Sequence, residues 1–205
     1  MDFDKDTYKT ILKASPEVLF KDRGSKFFGY AFPATSEEEI KACIERLKKE
    51  HYNARHWCFA WQLGKNYDRF RVNDDGEPSN SAGMPIYGQL QSFDVTNIVV
   101  VVVRYFGGTK LGVGGLIQAY KTAAKMALEN SKIVKKTIDE LFLIEFDYSE
   151  MNTVMRILKE ESLIIKTQNM NLRCSIEILV RKKEADRIYT LFKNTYRVGI
   201  KKIES

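Results

Sequence analysis

The run IVVVVV at 98–103 constrains the fold of this chain of 205 residues more than any other segment. All six side chains are β-branched, which suits a pleated strand, and the run lacks the polar alternation of a strand with one solvated face. We therefore predict that residues 95–105 form an inner strand of a sheet that is covered on both faces.

A glycine-rich segment, RYFGGTKLGVGGL at 104–116, follows this strand directly. Glycine permits a positive φ and leaves backbone N–H groups uncovered, and a helix predicted at 114–131 adds the partial positive charge of its N-terminus. The segment thus predicts an anion site in which glycine backbone and two cationic side chains meet a phosphate. Its members are Gly107, Gly108, Gly112, Gly114, Gly115, Arg104 and Lys110. The alternative is a tight strand-to-helix connection whose glycines only permit close packing. The spacing matches neither a P-loop nor a dinucleotide-binding fingerprint.

An acidic turn, NDDGEPSNSAGMP at 73–85, is a second candidate site. Asp74, Asp75 and Glu77 have the chemistry of general acids and bases or of metal ligands. The alternative is a structural turn whose carboxylates cap a helix and pair with nearby Arg or Lys. The segment lacks the spacing of a calcium loop, and we expect no metal site.

His56 and Cys58 alternate onto the same face of a strand predicted at 56–63 and form a third candidate. A thiol beside an imidazole suggests nucleophilic catalysis, but positions i and i+2 of a strand are about 6.6 Å apart, too far for a direct hydrogen bond. The alternative makes Cys58 a core residue and His56 a rim residue bound to a carboxylate. The chain contains an odd number of cysteines, which are widely spaced, namely Cys43, Cys58 and Cys174. This pattern favours a protein of the reducing cytosol over one with a disulfide framework.

The second half of the chain shows a regular order of patterns. Strand-like segments at 141–148, 163–168, 172–180 and 196–203 are separated by helical periodicity at 149–162 and 182–195. This β-α-β-β-α-β order predicts a ferredoxin-like domain, with Ser149 as the N-cap of its first helix.

The first half predicts an α+β arrangement with less regular order. Its expected elements are two strands joined at a turn within 17–34, a helix with a capping box at 36–51, and strands at 56–63 and 69–73. Residues 133–139 are the expected boundary between the halves.

The composition excludes several classes of protein. A hydrophobic content of 44% and a charged content of 29% are typical of a folded protein. The longest apolar run is far below the roughly 18 residues of a membrane span, and the first residues contain no apolar signal core, so we expect a cytoplasmic protein without a membrane partner. The net charge of +6 permits an anionic partner such as RNA.

Taken together, ARHWCFAW at 54–61, DDGEPSNSAGMPI at 74–86 and NIVVVVVRYFGGTKLGVGGLIQAY at 97–120 resemble the IMPACT family, and within it the bacterial YigZ-like members. GSKFFG at 24–29 matches an early strand of that family. The resemblance implies an N-terminal domain at 1–134 with the fold of domain 2 of ribosomal protein S5. It also implies a C-terminal domain at 139–205 similar to the last domain of elongation factor G. Eukaryotic members are linked to translational control through a stress kinase, a role that depends on an additional domain and is not carried over here.

The sequence departs from the family pattern at three places. Asn80 and Ser81 replace the usual Gly-Thr, Trp57 replaces an Asn, and Gln118 replaces an Arg. Gln118 removes a cation near the glycines, which lowers the charge available to a highly charged ligand.

Three functions remain open at this level. The first is a non-enzymatic cytoplasmic protein that binds RNA or the ribosome, linked to regulation of translation, with Arg55, Lys26 and Arg23 flanking the glycine segment. The second is an enzyme acting on a phosphorylated small molecule or a peptide, with chemistry from Asp74, Asp75, Glu77 or His56. The third is a protein-interaction module. No cofactor is expected.

Overall fold

The computed structural model describes residues 6–203, which form two compact units. One unit is Tyr8–Lys136, and the other contains residues 6–7 together with the chain from Thr137 onward. Within residues 6–203, no helix combines the length and apolar character needed to cross a bilayer.

The first unit contains seven strands and three helices among the described residues. They are β1 (Thr7–Ile11), β2 (Val18–Asp22), β3 (Ser25–Pro33), α1 (Glu37–Glu50), β4 (His56–Leu63), β5 (Arg69–Asn73), α2 (Gly83–Ser92), β6 (Ile98–Tyr105), α3 (Gly112–Glu129) and β7 (Ile133–Thr137). Five strands form an antiparallel sheet in the order β2-β3-β6-β4-β5, and β1 pairs separately with β7. The segment at 133–139, expected as a boundary, therefore contains a strand.

β6 is the central strand of the five-stranded sheet, and its side chains alternate between two cores. Val100 and Val102 pack with α2 and α3, whereas Val99, Val101 and Val103 pack with α1. All five are fully buried. The prediction of an inner strand covered on both faces is confirmed, and burial on both faces explains why the run contains no polar residue.

Local signals set the ends of α1 and α3. Ser36 caps α1 and accepts a hydrogen bond from the N–H of Glu39 at 3.3 Å, as the capping box predicts. α3 begins at Gly112, two residues before its predicted start. The last three glycines of the glycine-rich segment therefore belong to the first turn of the helix, and the loop itself is residues 106–111.

The second unit follows the β-α-β-β-α-β order that the sequence predicts. Its elements are β8 (Asp139–Asp147), α4 (Met151–Glu160), β9 (Ile164–Met170), β10 (Arg173–Arg181), α5 (Ala185–Lys193) and β11 (Val198–Ile203). The antiparallel sheet has the order β11-β8-β10-β9, and both helices contribute to one core with β8 and β10. The expected Ser149 cap is wrong, because Ser149 lies in a 3₁₀ turn before α4 and its hydroxyl donates to Glu150.

Candidate functional site

The C-terminal end of β6 is the point where most of the predicted site residues meet. Arg104 lies opposite Phe27 of β3 on one side and His56 of β4 on the other. Because both neighbouring strands run antiparallel to β6, the starts of β3 and β4 lie beside the loop at 106–111. We call this region the β6 end.

Arg104 is buried at the β6 end and bound to Glu77. Its Nη1 donates to Glu77 Oε1 at 2.6 Å, and only 5% of the residue is exposed. Tyr120 from α3 donates to the same oxygen at 2.7 Å. The fold thus places Arg104, predicted as a ligand-binding cation, in an internal ion pair in which the Glu77 carboxylate neutralises the guanidinium.

Two aromatic rings enclose the Arg104 guanidinium. Its Cζ lies 5.5 Å from the ring centroid of Phe27 and 5.6 Å from that of Phe106. The Nε atom has no hydrogen-bond partner among residues 6–203, so the ring faces supply electrostatic compensation there. Phe106 and Tyr120 are not among the site residues predicted from the sequence. The sequence signal for Phe106 is an aromatic residue directly before two glycines. The signal for Tyr120 is a tyrosine on the apolar face of a helix.

Asp74 and Asp75 shape the acidic turn. The Asp74 carboxylate accepts hydrogen bonds from the N–H groups of Ala82 at 2.9 Å and of Gly83 at 2.8 Å, at the start of α2. The Asp75 carboxylate accepts from the N–H of Trp57 at 2.7 Å. Both carboxylates thus have the structural role that the sequence left open as an alternative to chemistry.

His56 and Cys58 lie on the same face of β4 but contact different partners. His56 Nδ1 is 2.8 Å from the carbonyl oxygen of Asp75, and its Nε2 is 4.0 Å from Glu77 Oε1. The Cys58 thiol is fully buried and donates to the carbonyl of Asp74 and to the hydroxyl of Tyr120. Burial raises the pKa of the Cys58 thiol and that of the Tyr120 hydroxyl well above their ordinary values, so both groups are neutral near pH 7.

The glycines have different roles along the loop and helix. A Cβ on Gly107 would lie 1.9 Å from the carbonyl carbon of Gly24, so glycine is required where the loop touches the β2–β3 turn. A Cβ on Gly114 would meet no atom within 4 Å, and Gly114 has no positive φ. No side chain caps α3, and its first turn contains no acidic residue, so exposed N–H groups remain at its start.

Exposed basic side chains surround the β6 end. We define the basic rim as Lys21, Arg23, Lys26, Arg55 and Lys110, all of which are exposed. Lys21 and Lys26 are direct cross-strand partners, and like charges in such a pair repel each other. Lys26 lies opposite Tyr105, and the N–H of Arg55 donates to the carbonyl of Arg104. Within residues 6–203 none of the five rim residues forms an ion pair.

Across residues 6–203, no group of three or more His, Cys, Asp or Glu side chains is arranged to hold a metal ion. Among the predicted site residues, the fold thus brings together a polar network, in which Glu77 and Arg104 are buried and His56, Asp74 and Asp75 are half-buried, and an exposed basic surface beside it.

These features define a class of α+β protein with two units, in which a glycine-rich loop and a basic rim lie beside a partly buried network of acidic and basic side chains. The model of the Impact N-terminal domain matches residues 23–128. The chain is 31% identical over 180 residues to IMPACT family member YvyE of Bacillus subtilis, covering 88% of this chain and 82% of that protein. It is 33% identical over 151 residues to IMPACT family member YigZ of Escherichia coli, covering 72% of this chain and 74% of that protein. The chain belongs to the IMPACT family.

The fold is also found in a solved structure. The crystal structure of a hypothetical protein matches with a TM-score of 0.72 at 25% sequence identity, over 98% of this chain and 99% of that chain. The family-model match and the identities to YvyE and YigZ confirm the resemblance to the family and to its YigZ-like bacterial members over most of the chain.

Proposed function

We propose that this protein binds RNA, free or within the ribosome, through the basic rim, and that it acts in the regulation of translation and not as an enzyme. The observation that carries the proposal is the convergence of five exposed cations on one end of a sheet, without a carboxylate partner in the described residues. Lysine and arginine side chains in such a cluster favour a polyanion, because each phosphate contact releases counterions.

The local backbone supports the same partner. The N–H groups at the start of α3 carry partial positive charge, and Gly114 leaves them open to approach. Asp22 lies next to Arg23 but is half-buried. Its cross-strand partner is Ser25, and this pair lies on the sheet face opposite to that of Lys21 and Lys26. The exposed charged side chains at this end of the β2–β3 hairpin, Lys21, Arg23 and Lys26, are therefore all basic.

The buried network supports a non-enzymatic role. The carboxylates of Asp74, Asp75 and Glu77 are held by helix N–H groups, a strand N–H group and Arg104, respectively. The Cys58 thiol has a raised pKa and no exposed surface. Through these partners the three carboxylates hold the acidic turn against the start of α2, the start of β4 and the end of β6.

A place in translation follows from what the family resemblance implies. The first unit would be related to domain 2 of ribosomal protein S5 and the second, a ferredoxin-like unit, to the last domain of elongation factor G. We propose on this basis that the RNA is ribosomal or ribosome-associated, and that the protein is cytoplasmic.

The experiment is RNA binding to the full chain at several salt concentrations, with a structured ribosomal RNA fragment. We expect the affinity to fall steeply with salt, and Lys110→Ala to lower the slope of log K against log salt by about 1. Lys65→Ala is the matched control, because Lys65 is exposed in the loop after β4, at the opposite end of the sheet. Salt-insensitive binding, no binding, or equal effects of the two substitutions would contradict the proposal.

A further inference from the structure

Phe106 is a partly exposed aromatic residue at the β6 end, in the same loop as Lys110 of the basic rim. It is the first residue of the loop after β6, and 47% of it is exposed. The Arg104 guanidinium lies 5.6 Å from its centroid. One ring face is thus occupied by a buried cation, and the exposed part of the ring faces away from the core.

The ring is held in place by contacts below it. Arg104 Nη1 donates a hydrogen bond to Glu77 Oε1, and Arg104 Nη2 lies 3.5 Å from Ser25 Oγ. The same Ser25 oxygen accepts the N–H of Gly107 at 3.2 Å. Gly107 also packs directly against the backbone of Gly24. A ring fixed in this way loses little conformational freedom when a flat ligand packs against it.

The residues after Phe106 leave space around the ring. A Cβ on Gly108 would meet nothing within 4 Å. The rim cations lie in the β2–β3 hairpin, directly before β4 and in the same loop as Phe106. A flat apolar surface among unpaired cations matches a nucleotide, whose base stacks while its phosphates contact Lys or Arg.

We propose that Phe106 stacks on an unpaired base, so that the RNA bound at the β6 end is single-stranded at the point of contact. The inference rests on the proposed function and specifies the form of its RNA. Bases in an A-form duplex are stacked on one another and expose only their edges, so a ring on a protein surface reaches a base face only where pairing is absent.

The test compares an oligouridine of about 12 nucleotides, within the site sizes of stacking proteins, with an RNA duplex of equal length. We expect the oligouridine to bind more tightly than the duplex. Phe106→Leu should weaken oligouridine binding about tenfold, because one stacked base contributes roughly that factor. Phe106→Leu should leave the weaker duplex affinity unchanged.

Phe70→Leu is the matched control. Phe70 is 53% exposed on the same sheet and stacks on Tyr87, but it pairs with Gln62, at the opposite end of β4 from the rim. We expect this substitution to leave both affinities unchanged.

A second variant separates stacking from folding. Phe106→Trp should retain the oligouridine affinity, and its added indole fluorescence should be quenched as oligouridine binds. If Phe106→Leu binds oligouridine like wild type while Lys110→Ala weakens it, the stacking proposal is overturned and the basic rim stands. Preference for the duplex, or no quenching in Phe106→Trp, also overturns it. If neither RNA binds to the wild type, both this inference and the proposed function fail.

Discussion

At the scale of single residues, the Glu77–Arg104 pair organises the candidate site. Both side chains are more than nine-tenths buried, and the pair links the acidic turn to the end of β6. Tyr120 and Ser25 extend the network to α3 and β3. A buried ion pair of this kind costs desolvation energy, but removal of one partner leaves an uncompensated charge in the interior.

We therefore predict that Glu77→Gln lowers the free energy of unfolding by about 3 kcal/mol, because the Arg104 guanidinium loses its counter-charge. Urea denaturation monitored by circular dichroism measures the change. The double variant Glu77→Gln, Arg104→Met should recover part of the loss, since no buried charge remains. As a control, Glu129→Gln removes the exposed partner of Lys125 and should change stability by less than about 0.5 kcal/mol. Equal effects at Glu77 and Glu129 would show that the buried pair has no special role.

The cysteines provide a chemical test at the same scale. Burial raises the pKa of the Cys58 thiol, so its thiolate form is scarce at pH 8. We predict that iodoacetamide at this pH modifies the half-buried Cys43 first and reaches Cys58 only after denaturation in urea. Peptide mass spectrometry distinguishes the sites. Rapid modification of Cys58 in the native protein would favour the enzyme alternative.

At the scale of elements, Gly114 in α3 is a glycine that the fold does not require. Glycine in a helix costs about 1 kcal/mol relative to alanine, and no neighbour or backbone angle explains its presence. Gly88 in α2 has the same freedom, since a Cβ there also meets nothing within 4 Å. The two positions differ in location, because only Gly114 lies at the helix N-terminus beside the loop at 106–111.

We predict that Gly114→Ala and Gly88→Ala each stabilise the protein by about 0.5–1 kcal/mol. Only Gly114→Ala should weaken RNA binding, because its methyl group covers N–H groups that approach phosphate. Thermal denaturation and filter binding measure the two effects. If Gly114→Ala binds RNA as tightly as Gly88→Ala does, the open helix start has no part in binding.

Elements with strong periodicity could be predicted from the sequence, whereas long-range pairings could not. β6, α1 and the order of elements in the second unit follow from local patterns of apolar residues and caps. The pairing of β1 with β7 joins segments from opposite ends of the first unit, and neither TYKTI nor IVKKT has a distinctive pattern.

The same limit applies to the site. The sequence identified Glu77 and Arg104 separately, but the contact between them depends on how the acidic turn folds back onto β6. Arg104, which the sequence predicts as a ligand-binding cation, is buried and forms an ion pair with Glu77 inside the fold. Phe106 was missed because an apolar residue in a loop carries no periodicity, and its exposure follows from the fold of the loop.

At the scale of the whole molecule, charge is distributed unequally along the chain. The net charge of +6 comes entirely from Tyr8–Lys136, and the rest of the sequence is close to neutral. The first unit contains the basic rim and two hydrophobic cores of its own. Because phosphate contacts dominate the affinity of proteins for RNA, the first unit should account for most of the binding.

We predict that a fragment of residues 8–136 folds alone and retains RNA affinity comparable to that of the full chain, with a similar salt dependence. A fragment of residues 137–205 should also fold, on the core formed by α4, α5 and their sheet, but should bind the same RNA much more weakly. Circular dichroism establishes that each fragment is folded before binding is measured. If the second fragment binds as tightly as the first, the RNA surface lies outside the basic rim, and substitutions at Lys110 should then leave the affinity of the full chain unchanged.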